Sequence, residues 1–226
     1  MKILALDSSG LVASVAVVEN DTLLAEYTVN YKKTHSQTLL PMLDEISNMT
    51  ELDLSTIDAI AVAGGPGSFT GLRIGSATAK GLGLALEKPL ISIPTTAAIA
   101  YNIWDTNKFV CPIMDARRNQ VYTGVYCYTD HRLDTVWEQD TMSIEALAEG
   151  LNCLDHEVIF LGDGVAVYRE KLEALLTIPF SFAPAHVNRQ RAAAVGALAE
   201  VYYKEGKIQT AEEHEPEYLR KVAGGA

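Results

Sequence analysis

Positive charge is scarce in this chain: 18 lysines and arginines stand against 29 aspartates and glutamates, a formal net charge of −11 over 226 residues. Tight binding to nucleic acid needs clustered cations against the phosphates, so the chain alone is a poor candidate for it. Its basic pairs, Lys32-Lys33, Arg117-Arg118 and Arg189 with Arg191, read first as solvated surface. Cysteine is scarcer. Cys111, Cys127 and Cys153 are odd in number, far apart and without a C-x-x-C spacing, which argues against a disulfide framework and fits reduced thiols in the cytoplasm. Cys111 and Cys127 sit in apolar runs and read as buried structural thiols. Of the five histidines (His35, His131, His156, His186 and His214), no two are three to five residues apart, so none forms an i, i+4 metal pair on a helix. There is no G-x-S-x-G, and Ser68 has no histidine or acid within a few residues. The most apolar stretch, Gly81 to Ile93, is interrupted by Glu87, Lys88 and Pro89 and is too short to cross a bilayer. Met1-Lys2 leads straight into a strand containing Asp7, not into an apolar leader. The expectation is a cytoplasmic protein with no membrane partner and no metal site.

What is present is a core. Hydrophobic residues make up 48% of the chain, enough for one large domain or two small ones. Lys2 to Leu6, Ala13 to Val18 and Thr22 to Val29 read as strands, the last two joined by a hairpin turn at Asn20-Asp21. Leu39, Leu43 and Ile46 follow one helical face, with Thr34 or Ser36 as cap and Pro41 awkward near the start. Ile57 to Ala63 is a strand, Leu72 to Leu86 a helix, Leu90 to Ile93 a strand. Hairpin-linked strands followed by alternation imply a mixed sheet flanked by helices.

The pattern starts again after residue 108. Phe109 to Met114 is an apolar strand ending at Asp115; six residues later comes the strand that begins at Tyr122. Asp7 is likewise followed by six residues and then the strand from Ser14. A helix near Ile144 to Leu151, a strand Val158 to Leu161 and helices Ala166 to Leu176 and Arg189 to Tyr203 complete the reading. It predicts two related α/β halves, 1–104 and 105–226, the second reduced.

Between the strand at Ile57 and the helix at Leu72 lies Gly64-Gly65-Pro66-Gly67-Ser68-Phe69-Thr70-Gly71-Leu72-Arg73-Ile74-Gly75. A strand, a glycine turn and a helix point backbone N–H groups at an anion or another chain. Ser68 or Thr70 suits the helix N-cap. Gly71, Gly75, Ala79 and Gly83 recur every fourth residue, a smooth stripe for close packing against the chain's own sheet or against another helix.

This stretch resembles the signature of the bacterial TsaB (YeaZ) family. Four other blocks match in order: Ile3-Leu4-Ala5-Leu6-Asp7-Ser8-Ser9, His35-Ser36-Gln37-Thr38-Leu39-Leu40-Pro41, Met114-Asp115-Ala116-Arg117-Arg118-Asn119-Gln120-Val121-Tyr122 and Pro216-Glu217-Tyr218-Leu219-Arg220. The resemblance implies the actin-like/sugar-kinase fold and a non-catalytic scaffold in making threonylcarbamoyladenosine in tRNA, a pseudo-enzyme partner of a threonylcarbamoyltransferase. The implied partners are a TsaD-type catalytic subunit and a TsaE-type ATPase. The resemblance further implies that tRNA is met only through the complex and that the chain forms a homodimer when alone. The implied interface uses the first two helices, here about Ser36 to Met49 and Thr70 to Leu86, with Leu39, Leu43, Ile46, Gly71, Arg73, Gly75, Thr78 and Leu82 as candidates.

In actin-like ATPases and sugar kinases a turn after each Asp-ended first strand grips phosphates and hydrated Mg²⁺. The first half keeps the small residues this needs, so Asp7, Ser8, Ser9, Gly65, Gly67 and Ser68 are the vestigial nucleotide residues. The second turn, Asp115-Ala116-Arg117-Arg118-Asn119, is bulky, although its arginines could still bind phosphate. Gly162-Asp163-Gly164 is a nucleotide-loop remnant or an ordinary strand-to-helix turn. No cofactor is required on this reading, with weak ATP or ADP binding as a residual expectation. The alternatives are an active ATP-dependent enzyme of the same superfamily and a metallopeptidase-like protein.

Overall fold

The uncharged run between Lys2 and Asp7 forms the central strand β1 (Lys2–Asp7) of a five-stranded sheet in a computed structural model that describes residues 1–31 and 35–219. The described chain divides into two units, one of Met1–Ala98 and Gln190–Glu217, the other of Ile99–Arg189 and the segment that begins at Tyr218.

In the first unit β1 pairs antiparallel with β2 (Ala13–Glu19), and β2 with β3 (Thr22–Val29). Asn20 and Asp21 turn that hairpin with φ of 48° and 62°, a conformation Asn and Asp tolerate. On its other side β1 pairs parallel with β4 (Ala59–Gly65), and β4 with β5 (Leu90–Pro94). Ile3 to Leu6 are fully buried because the sheet is covered on both faces. Leu4, Leu6, Val15 and Val62 meet α1 (Leu39–Thr50) and α2 (Phe69–Leu86) in one core. On the opposite face Ala5 and Val18 lie under Gly196 of α6 (Ala192–Lys204). The expected first helix from Ser36 begins instead as a 3-10 turn, His35–Gln37, and α1 starts at Leu39. Pro41 therefore falls in the first turn, where no N–H is needed. The N-cap position is Thr38; Ser36 does not serve, and Thr34 lies outside the described residues, as do Lys32-Lys33 and Arg220.

The chain passes to the second unit within α3 (Thr95–Ala100). There β6 (Phe109–Asp115), β7 (Gln120–Thr129) and β8 (Arg132–Ser143) form an antiparallel run, and β9 (Val158–Leu161) and β10 (Phe180–Phe182) extend β6 in parallel. The orders β3-β2-β1-β4-β5 and β8-β7-β6-β9-β10 are the same topology. The second sheet thus has as many strands as the first, and α4 (Ile144–Leu154) and α5 (Val165–Leu175) pack its core around Phe160. The second unit is the poorer in helices, because α6, which a contiguous division assigns to it, packs on the first sheet. No helix of the described residues is long and apolar enough to cross a membrane.

Candidate functional site

β1 delivers Asp7 to the edge of its own core, and the chain turns there through Ser8, Ser9 and Gly10. Asp7 is fully buried. Its Oδ1 accepts from the Ser9 amide at 2.9 Å and from Ser9 Oγ at 2.7 Å, while Oδ2 has no partner. Burial pushes its carboxyl up to about 6, against the opposing pull of the two Ser9 bonds and, more weakly, of His35. His35 Nε2 donates to the Gly10 carbonyl at 2.8 Å and leaves Nδ1 buried without a partner. Gln190, 1% exposed, lies against Gly10 with neither amide atom bonded. Nothing in the local sequence marks Gln190, since it reaches this turn from 180 residues away.

The glycine loop closes on this turn. Ser68 N–H donates to the Ser9 carbonyl at 2.7 Å, and Ser8 Oγ donates to the Gly71 carbonyl at 2.8 Å. Ser68 caps α2, its Oγ accepting from Gly71 N–H. A Cβ at Gly67 would stand 2.3 Å from the Ser9 carbonyl oxygen, one at Gly71 2.1 Å from that of Ser8, and one at Gly75 2.5 Å from Ser8 Oγ. Gly65, at φ 130°, has the Glu217 carbonyl 2.2 Å from the Cβ position, and Gly83 has Leu90 at 2.4 Å. The chain's own Ser8–Ser9 turn therefore packs directly on the glycine loop, in the space that Cβ atoms at Gly67, Gly71 and Gly75 would take. Asp7, Ser8, Ser9, Gly67 and Ser68 are brought together; Gly65 is held to Glu217 instead.

The expected interface residues divide. Leu39, Leu43 and Ile46 are 1%, 5% and 4% exposed and belong to the core of their own unit, a correction with a plain cause: the regular apolar face of α1 is the face its sheet covers. Gly71 and Gly75 face the Ser8–Ser9 turn, Leu82 packs on the same core, and Thr78 Oγ1 donates to the Ile74 carbonyl of its own helix. Arg73 alone of the eight is exposed, its guanidinium 3.9 Å over the Phe69 ring. The outward faces are made of other residues: Leu40 and Asp44 on α1, and Ala77, Gly81 and Leu84 on α2.

In the second unit Asp115 occupies the position of Asp7. It accepts from Arg117 N–H and Tyr168 Oη and pairs with the Arg117 guanidinium at 3.2 Å. Gly162 (φ 102°) and Gly164 pack on the Ile113 carbonyl, so Gly162-Asp163-Gly164 is a strand-to-helix turn fitted to β6. Burial raises the Asp163 carboxyl, opposed by Arg189. Cys111 is buried against Thr123, its thiol pushed up to about 12 by burial. Cys127 is half-buried and Cys153 exposed, all three free. Among the described residues no group of three or more His, Cys, Asp and Glu is placed to hold a metal ion.

A family model described as "TsaD: tRNA N6-adenosine threonylcarbamoyltransferase" matches residues 22–224. A protein of Bacillus subtilis (strain 168), "tRNA threonylcarbamoyladenosine biosynthesis protein TsaB", is 35% identical over 176 residues, 78% of this chain and 77% of that protein. The solved structure "YeaZ from Pseudomonas aeruginosa" superposes with a TM-score of 0.83 at 28% identity, over 96% of this chain and 99% of that one. An inorganic polyphosphate/ATP-glucomannokinase from Arthrobacter sp. strain KM shares the fold, with a TM-score of 0.54 at 15% identity over 90% of this chain and 99% of that one. The two sheets are thus those of the actin-like/sugar-kinase architecture.

Proposed function

The chain belongs to the TsaB family, and from that premise we propose that it is a non-catalytic subunit in the biosynthesis of threonylcarbamoyladenosine in tRNA. It binds and organises a TsaD-type catalytic subunit, with a TsaE-type ATPase as further partner, and meets tRNA within that complex. Alone it pairs with a second copy through the same surface, and it requires no cofactor of its own.

The observation that carries this reading is Gly81. Glycine inside a helix costs about 1 kcal/mol relative to alanine. Gly71, Gly75 and Gly83 are accounted for by the chain's own turn and sheet, whereas a Cβ at Gly81 would meet nothing within 4 Å. Gly81 lies on the exposed side of α2 with Ala77 and with Leu84, which is 58% exposed. Small residues beside an exposed leucine let a second helix approach closely. The proposed contact face is therefore Leu40, Ala77, Gly81 and Leu84, with Arg73 at its rim.

Size-exclusion chromatography with light scattering tests this, on the chain alone and mixed with the TsaD-type protein of the same organism. A homodimer that converts to a 1:1 heterodimer is expected. Gly81→Leu should block both pairings and leave the monomer folded; an unchanged heterodimer sinks the assignment of the face. Gly75 is the poorer probe, since a side chain there collides with Ser8 Oγ inside the fold.

One observation favours a second reading, an ATP-dependent enzyme: the buried, unpartnered Oδ2 of Asp7 is a group a hydrated cation could use. That reading requires micromolar Mg-ATP binding in calorimetry, lost in Asp7→Asn; no binding discards it. A peptidase would require stoichiometric zinc or iron in the purified chain, which metal analysis measures.

A further inference from the structure

Among the described residues three hairpins turn through residues of positive φ. Asn20 (48°) and Asp21 (62°) join β2 to β3, and Asp130 (49°) and His131 (62°) join β7 to β8. Asn, Asp and His are the side chains that tolerate this region. The turn between β6 and β7 differs: Arg117 (63°), Arg118 (54°) and Asn119 (59°) are all left-handed, and two of the three are arginines. Glycine or Asn would close the same turn with less strain. Backbone strain of this kind persists only where the surroundings over-determine it.

The surroundings here do so. Ala116 N–H donates to the Gln120 carbonyl at 3.0 Å, and Gln120 N–H to the Arg117 carbonyl at 3.1 Å. Asp115 Oδ1 takes the Arg117 amide at 2.9 Å and Tyr168 Oη at 3.2 Å. Asn119 donates to Glu145 Oε2 at 2.8 Å, and Lys171 bridges Asn119 Oδ1 and Glu145 Oε1. The turn is thus held rigidly from β6, α4 and α5.

What it holds out is positive. Arg117, Arg118 and Lys171 stand with Asp115 and Glu145, and behind them Asp163 lies between Asp115 and Arg189, four cations to three carboxylates in a chain of net charge −11. Asp115 engages Arg117, and Glu145 engages Lys171. The Arg118 guanidinium is exposed and has no partner among the described residues. A planar guanidinium fork fits two oxygens of one phosphate, and a second, already oriented guanidinium beside it fixes the direction of approach.

We propose that the Arg117-Arg118-Asn119 turn is a phosphate-binding tip that grips the phosphodiester backbone of RNA. The inference rests on the tRNA reading above and adds to it the surface of this chain that the RNA meets. The same chemistry would take the phosphates of a free nucleotide, so the test carries an arm for each.

Fluorescence anisotropy with an unmodified tRNA transcript is measured across a salt series, for the chain alone and for its mixture with the TsaD-type protein. Chromatography of the same samples reports pairing separately. Arg118→Glu is expected to weaken RNA binding roughly tenfold at low salt and to flatten the slope of log K against log salt by about 0.9 for each phosphate no longer neutralised. Arg118→Gly is expected to raise Tm, because glycine relieves the left-handed position, while it weakens RNA binding as well. That pairing of effects separates a binding role from a structural one. The proposal is overturned if neither sample binds RNA, or if both variants match the wild type in affinity and slope. It is also overturned if Arg118→Glu abolishes binding of ATP but not of RNA. An intact heterodimer with unchanged RNA binding removes this inference alone; a lost heterodimer removes the scaffold reading alone.

Discussion

The two units share one strand order, and each ends its central strand in an aspartate, yet the two carboxylates live in opposite surroundings. Asp7 is fully buried, satisfied on one oxygen by Ser9 and bare on the other. Asp115 has an arginine on one oxygen and a tyrosine hydroxyl on the other. The topology sets where the carboxylate stands; the residues that follow it set its charge balance. In the first unit those residues are small, so the glycine loop and α2 close over them. In the second they are long, so the turn projects outward and supplies its own cation.

The comparison breaks most visibly at the glycines. Gly71→Ala should cost about 3 kcal/mol, because its Cβ would stand 2.1 Å from the Ser8 carbonyl and α2 must shift to make room. Gly164→Ala, at the start of α5 and 2.9 Å from the Ile113 carbonyl, should cost about half as much, roughly 1–2 kcal/mol. Urea midpoints of the two variants check the order; equal values would mean that the first loop is no more tightly seated than the second.

The next effect has the opposite sign. A carboxyl raised from 3.8 to about 6 binds its proton more tightly in the folded state than in the unfolded chain. This group's contribution to stability is therefore best below about pH 4 and is lost as the pH rises to about 6. Asp7→Asn should stabilise the chain by about 2–3 kcal/mol at pH 7 and scarcely at pH 4. A variant that is less stable than wild type at pH 7 would contradict the burial argument. Ser9→Ala removes a donor from that buried carboxylate and should destabilise by about 1–2 kcal/mol at pH 7, an effect that shrinks where Asp7 is protonated. Smallest is Asp115→Asn, which breaks a pair whose arginine is 82% exposed; under about 1 kcal/mol is expected, readable as a Tm shift of a few degrees at most.

Much of the fold was legible. The strands from Lys2 to Val29, the β4–loop–α2 unit and the restart at Phe109 are local patterns of hydrophobicity and turn residues, and each forms where its pattern lies. β8 escaped the sequence reading because Arg132 to Asp140 mixes charges with apolar residues at an edge, where no face is fully buried. β10 is three residues long and too short to carry a period. The site was less legible. The pattern of Leu39, Leu43 and Ile46 says that one side of α1 must be covered, but the coverer could be the chain's own sheet or another protein. Gly81 lay off the regular stripe, and only the open space beside it sets it apart from Gly71, Gly75 and Gly83.

The sequence by itself determined the order of elements from β1 to β5, the glycine loop with Ser68 as its cap, the two aspartate-ended strands and the acidic balance, since all of these follow from local periodicity, turn chemistry and composition. Tertiary structure alone decided that α6 packs on the first sheet, that Gly67, Gly71 and Gly75 face Ser8 and Ser9, that burial strips Asp7 of solvent, and that Arg118 is left without a partner among the described residues. The physical reason is that packing, desolvation and ion pairing depend on which distant segments come together, and neighbours along the chain do not specify them.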